Sequence, residues 1–115
     1  MVNEKRTFSG LAVSPGRCKE RYRGVAKILL SLDDFDKVEK GDVIVVFASS
    51  PAWTIPLLEA GALIAEVGGV LCHVAIVARE MGVPAVVNIE NITKLLKDGD
   101  LVEVDGRTGE VNVLN

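Results

Sequence analysis

The residues able to do chemistry lie in one run, Gly68-Gly69-Val70-Leu71-Cys72-His73-Val74-Ala75-Ile76-Val77-Ala78-Arg79-Glu80-Met81-Gly82-Val83-Pro84. It holds the only histidine of the 115 residues. Behind His73, the apolar residues Val74, Val77, Ala78 and Met81 follow the i, i+3, i+4, i+7 spacing of a buried helix face. Gly82 and Pro84 supply a stop, since glycine takes the left-handed cap and proline cannot continue the helix. The spacing therefore predicts a helix over about 73–81. His73 is placed at its first turn, solvent-reachable, behind a Gly68-Gly69 loop. Free backbone N–H groups and the positive end of the helix dipole favour an anion there. An imidazole beside an anion site can act as a nucleophile towards phosphorus.

Arg79 lies nearly two turns beyond His73. Its side chain meets a bound phosphate only by folding back. It can equally pair with Glu80 or Glu66, or meet a partner. Cys72 beside His73 invites a Cys–His catalytic reading, but neighbours at a helix start point apart. A small residue near the cap is the simpler role.

The elements that must position this run follow in order. Residues 6–13 read as a first strand, ended by a Ser14-Pro15-Gly16 turn. Residues 19–30 read as a second, with Gly24 marking a bulge or a close backbone contact. Residues 31–40 form a short helical turn that Asp33 or Asp34 can cap. Val43 to Phe47 is a continuous apolar run, an inner strand covered on both faces. Ser50 and Pro51 open a single helical turn, and Pro56 pushes Ile55 out of helical angles before a second start that reaches Ala60. Trp53 is expected to pack as core or lid. Ala62 to Val67 is a strand leading into the glycine loop. That layout puts His73 at the carboxyl end of a strand, where open α/β sheets bind ligands. Residues 85–87 form a short inner strand, 92–96 a short helix or turn. Residues 101–105 and 110–114 form a hairpin, with Val102, Val104, Val111 and Val113 facing one way.

Composition bounds the alternatives. At 49% hydrophobic residues and a mean hydropathy of +0.32, the chain can bury a core and reads as one domain, residues 1–115. No apolar run approaches a membrane span, and the first ten residues lack a signal core. A cytoplasmic location is expected. Cys18 and Cys72 do not indicate a disulfide without signs of secretion, and one histidine with two cysteines is a poor zinc set, so no metal site is expected. Net charge is −3, but residues 1–27 carry seven Lys/Arg against two Glu, and the other 88 carry six against fourteen acids. Arg17, Lys19, Arg21 and Arg23 alternate along one strand face. That face reads as simply solvated, the alternative being a docking surface for an acidic partner; without aromatic platforms nucleic acid is not favoured.

The words GGVLCHVAIVAREMGVPAVV and LKDGDLVEVDGRTGEV, with GLAVSPG and KGDVIVVFASSPAW in weaker support, resemble the phosphohistidine domain of the phosphoenolpyruvate-utilising enzymes. That family includes phosphoenolpyruvate synthase, pyruvate phosphate dikinase and enzyme I of the sugar phosphotransferase system. The resemblance covers nearly the whole chain, in the family's order. It implies an α/β fold, a three-layer β/β/α swivelling domain. It also implies a phosphocarrier whose His73 takes a phosphoryl group from phosphoenolpyruvate or a nucleotide and passes it to a second site. Gly68, Gly69, Cys72, Val74 and Arg79 would line the phosphate. The partners implied are a phosphoenolpyruvate/pyruvate-binding barrel and a nucleotide-binding ATP-grasp domain. Magnesium is expected at those partners, with no cofactor bound by this domain. On this view the chain is a free-standing mobile domain or a piece of a larger enzyme, and not a complete enzyme alone. Leu71 and Val74 stand where the family commonly has a small hydroxyl residue and a small residue. They support the alternative, a non-catalytic interaction module that keeps the fold.

Overall fold

Short runs of Val, Ile, Leu and Ala, each bounded by glycine, proline or acidic turns, become strands. The computed structural model describes residues 6–17, 21–49 and 51–114. Its elements are β1 (Arg6–Ser9), β2 (Leu11–Pro15), β3 (Tyr22–Leu29), β4 (Val43–Val46), α1 (Thr54–Leu57), β5 (Ala62–Ala65), α2 (His73–Met81), β6 (Pro84–Val87), α3 (Ile92–Leu95), β7 (Leu101–Asp105) and β8 (Glu110–Val113). Short 3₁₀ segments cover Leu32–Lys37 and Pro51–Trp53. The strands run in the order β1-β8-β7-β3-β4-β5-β6-β2.

β3 joins two sheets. Its first half, Tyr22 to Val25, pairs antiparallel with β7. Its second half, Ala26 to Leu29, pairs parallel with β4, followed by β5 and β6. Every residue of β4, β5 and β6 is buried, so each strand feeds two cores by alternation. Val43, Val45, Ile64 and Val86 face Val102, Val104, Val111 and Val113 of the second sheet. Ile44, Val46, Leu63 and Val87 face the opposite way, onto Val74, Val77 and Ala78 of α2. The result is a three-layer β/β/α sandwich, the α/β swivelling architecture expected.

The first strand departs from expectation. It is two strands, broken at Gly10: β1 pairs with β8 and β2 with β6, at opposite ends of the strand order. β2 also continues through Ser14 and Pro15, with a register shift between Ala12 and Ser14, where a turn was expected. The Ser14 hydroxyl donates to the Val83 carbonyl at 2.7 Å, which keeps this buried residue in the edge pairing. Ile55 is also helical, contrary to expectation. α1 is one continuous turn from Thr54, and Pro56 falls inside that first turn, where its missing N–H is not needed. Gly24 does make a close backbone contact, since a Cβ there would lie 3.1 Å from the Gly41 carbonyl. Trp53 packs on the α2-side core. Ser50, expected as a helix cap, and Cys18 and Lys19 lie outside the described residues.

The expected basic strand face does not form: Arg17 follows β2 and Arg21 precedes β3, so of the described cations of that run only Arg23 lies in the strand, and Arg21 and Arg23 meet acids across the sheet. Arg21 reaches Glu103, Asp105 and Glu110, and Arg23 reaches Glu103 at 2.9 Å. Burial alone would raise the Glu103 carboxyl. Hydrogen bonds from Arg23, Arg21 and Asn112 outweigh that and hold it below the usual range. A depressed carboxylate stabilises the fold above its unfolded pKa and loses that contribution as pH falls through the lower folded value. Thermal midpoints should therefore drop from neutral pH towards pH 3. Glu103→Gln should lower the midpoint at neutral pH and flatten the acid limb; an unchanged slope would assign the limb to other carboxylates.

Candidate functional site

The parallel strands β4, β5 and β6 end at one edge of the middle sheet, and three chain segments leave it there. The segment after β4 carries Ser49 and then Thr54. The segment after β5 is the glycine loop, which enters α2. The segment after β6 carries Asn88. Val67 N–H donates to the Phe47 carbonyl at 2.9 Å, continuing the β4–β5 pairing into the loop.

α2 begins at His73, as the spacing predicts, and stops at Gly82 in the left-handed region with φ 74°. Cys72 is the N-cap residue, and its side chain makes no capping bond. The Ile76 N–H, bonded to the Cys72 carbonyl at 3.1 Å, closes the first turn. The N–H groups of His73, Val74 and Ala75 are then the orphan donors of this end. Val74 and Ala75 are buried, so Val74 offers the site only its backbone.

The imidazole of His73 is half-buried. Its Nδ1 lies 2.8 Å from Ser49 Oγ and its Nε2 lies 3.0 Å from Thr54 Oγ1. A neutral imidazole has one N–H and one lone pair, so one hydroxyl accepts from the ring and the other donates to it. The two contacts clamp the ring plane and leave the ring in a single orientation. Each neutral bond of this kind is worth about 1 kcal/mol. Removing either hydroxyl, by Ser49→Ala or Thr54→Val, should broaden the ring's rotamer distribution and move the ¹⁵N shift of the released nitrogen. Unmoved ring shifts in both variants would dismiss the clamp.

The two loop glycines differ. A Cβ on Gly68 would lie 2.9 Å from Cys72 Sγ and 3.3 Å from Val87 Cβ, so a side chain there would displace the thiol and press on Val87. A Cβ on Gly69 would meet nothing within 4 Å. Gly69 has no internal reason to be bare; its open flank leaves the backbone approachable beside the helix start. The Gly69 carbonyl accepts the Cys72 N–H at 3.1 Å, turning the loop into the helix. Leu71 points into solvent, 82% exposed.

Gly68, Gly69, Cys72, His73 and Val74 thus share one place. Arg79 stands apart: its Nε donates to the Val13 carbonyl on β2 at 2.9 Å. Sequence reasoning missed Ser49, Thr54 and Asn88. The signal for Ser49 was available, because polar residues just past adjacent parallel strands share an edge. Among the described residues, no group of three or more His, Cys, Asp or Glu could hold a metal ion, and no helix is long and apolar enough to cross a membrane.

Residues 38–109 match the family described as PEP-utilising enzyme, mobile domain, and the chain belongs to that family. It is 42% identical to rifampicin phosphotransferase of Bacillus cereus over 91% of this chain and 12% of that protein. It is 42% identical to a probable phosphoenolpyruvate synthase of Archaeoglobus fulgidus, over 90% of this chain and 13% of that one. A solution structure of Enzyme I superposes with a TM-score of 0.60 at 36% identity, over 69% of this chain and 33% of that chain. The chain spans 3% to 14% of the length of the curated relatives it matches.

Proposed function

We propose that this domain is a phosphocarrier, in which a ring nitrogen of His73 accepts a phosphoryl group at one partner site and delivers it at another. The observation that supports this reading most is the clamped imidazole beside the uncapped first turn of α2. The hydroxyl that donates to the attacking nitrogen gives way, and the freed lone pair forms the N–P bond as the bond from phosphorus to its leaving oxygen breaks. The hydroxyl on the other nitrogen holds the ring on line, the orienting role that partners of functional histidines commonly play. The N–H groups of Val74 and Ala75, with the helix dipole behind them, suit the phosphoryl oxygens. The open flank of Gly69 gives those oxygens room, and Gly68 and Cys72 shape the turn. Arg79 joins the phosphate only if it releases Val13.

Phosphoryl transfer needs charge neutralisation and in-line positioning, much of it from metal ions. Those parts belong, on this reading, to a phosphoenolpyruvate-binding barrel and an ATP-grasp domain carrying magnesium, in the cytoplasm. The test is to incubate the chain with phosphoenolpyruvate, magnesium and a barrel domain from a relative, or with ATP and an ATP-grasp domain. One phosphate, stable in alkali and labile in acid, is expected. No label with either donor would favour the second reading, an interaction module. The large apolar Leu71 exposed beside the histidine is the observation on that side.

A further inference from the structure

The glycine loop is tethered from behind by a residue outside the motif. Asn88, directly after β6, sits in the left-handed region with φ 62°. Non-glycine residues seldom adopt it, and asparagine tolerates it best because its short side chain can bond locally. Here that side chain does not fold onto its own turn. Its Oδ1 accepts the Gly68 N–H at 3.0 Å.

Gly68 is thereby tied through its N–H by Asn88, while Cys72 Sγ and Val87 occupy the space that a side chain there would need. Two residues earlier, the Glu66 carboxylate accepts both the N–H and the hydroxyl of Thr93, at 3.1 and 2.7 Å. So the loop is tied to the segment after β6 at two points. From Gly68 the restraint passes in one chain of bonds. Gly69 O takes Cys72 N–H, Cys72 O takes Ile76 N–H, and His73 lies between them. The position of the imidazole thus depends on where Gly68 is pinned.

We propose that Asn88 is a positioning residue of the phosphoryl site, its side-chain carbonyl fixing Gly68 so that the start of α2 presents His73 in line for transfer. This rests on the reading of His73 as the carrier. Asn88 does not touch the phosphoryl group; it acts through the loop. Small misplacements near a reacting centre can cost as much as about a hundredfold in rate.

The substitutions separate this from a merely structural role. Asn88→Gly accepts φ 62° without strain and removes the acceptor. Asn88→Asp keeps an acceptor oxygen and tolerates the same angle. Amide exchange on the full chain should show Gly68 protection falling about tenfold in Asn88→Gly, as expected for loss of one bond worth about 1.4 kcal/mol, and returning in Asn88→Asp. In the labelling assay, Asn88→Gly should lower the maximal rate about tenfold while the KM for this chain stays within about twofold, as expected when only transition-state alignment is lost. Unchanged Gly68 protection, a wild-type maximal rate, or failure of Asn88→Asp to restore protection would each overturn the proposal. A label that survives in His73→Ala would instead refute the carrier reading, and the exchange arm would still decide whether Asn88 holds the loop.

Discussion

His73→Ala should abolish phosphoryl labelling and leave the fold standing. No other histidine exists to take over, so the loss should be complete rather than partial. The fold should survive because the imidazole is only half-buried and its polar contacts are two hydroxyls near the surface. Removing it leaves Ser49 and Thr54 free to bond water, a change within about 1 kcal/mol. The labelling assay decides the chemistry, and a thermal melt decides the fold. Cys72→Ala is the control. It removes the neighbouring nucleophile and should retain most of the label, because the Cys72 contribution is packing over Gly68. A label that persists in His73→Ala, or disappears only in Cys72→Ala, would overturn His73 as the nucleophile.

Gly10→Ala should be strongly destabilising. Gly10 is the single residue between β1 and β2, which lie at opposite ends of the strand order. Its N–H donates to the Gly109 carbonyl at 2.8 Å. A Cβ there would run into the Val87 carbonyl oxygen and lie 2.6 Å from Ile89 Cγ1. Val87 cannot retreat, because it is fully buried in β6 and paired with Leu11. Overpacking against backbone at such a junction should cost about 3 kcal/mol, a large part of a stability of about 5–15 kcal/mol. The melting temperature should fall by more than about 10 °C. Gly99→Ala is the comparison: its φ is 95°, but nothing lies within 4 Å. Strain alone, about 1–2 kcal/mol, is expected there. A loss at Gly10→Ala no larger than at Gly99→Ala would mean that the β1–β2 junction yields to the added methyl.

Features set by neighbours in the chain could be read from the sequence. Helix α2 and its ends follow from local spacing and from Gly82, and the β7–β8 hairpin follows from alternating valines around a glycine turn. The burial of β4 on both faces follows from its unbroken apolar run. What could not be read depends on residues far apart. The alternation around Gly10 looks like one strand, because pattern shows which residues are buried but not which strand they pair with. Ile55 was misread because a proline disturbs a helix interior, and here it falls in the first turn. At the site, the histidine and its glycines are contiguous and therefore visible. The hydroxyls that clamp the ring and the asparagine that pins the loop come from two other segments, gathered only when the parallel strands align.

The strand order also bears on how the molecule reaches its shape. β1 pairs with β8 from Arg6↔Val113 to Ser9↔Glu110, joining residues about a hundred positions apart. β2 must find β6 across some seventy positions at the same time, from the other side of Gly10. Such distant pairings close large loops before they are rewarded, which slows folding towards the millisecond-to-second range of β-rich domains. During synthesis β3, β4, β5 and α2 can begin to assemble first, while β1 waits for β8 to emerge. The late-docking β1 edge should therefore open first under native-state exchange, and the parallel strands beneath His73 should open last.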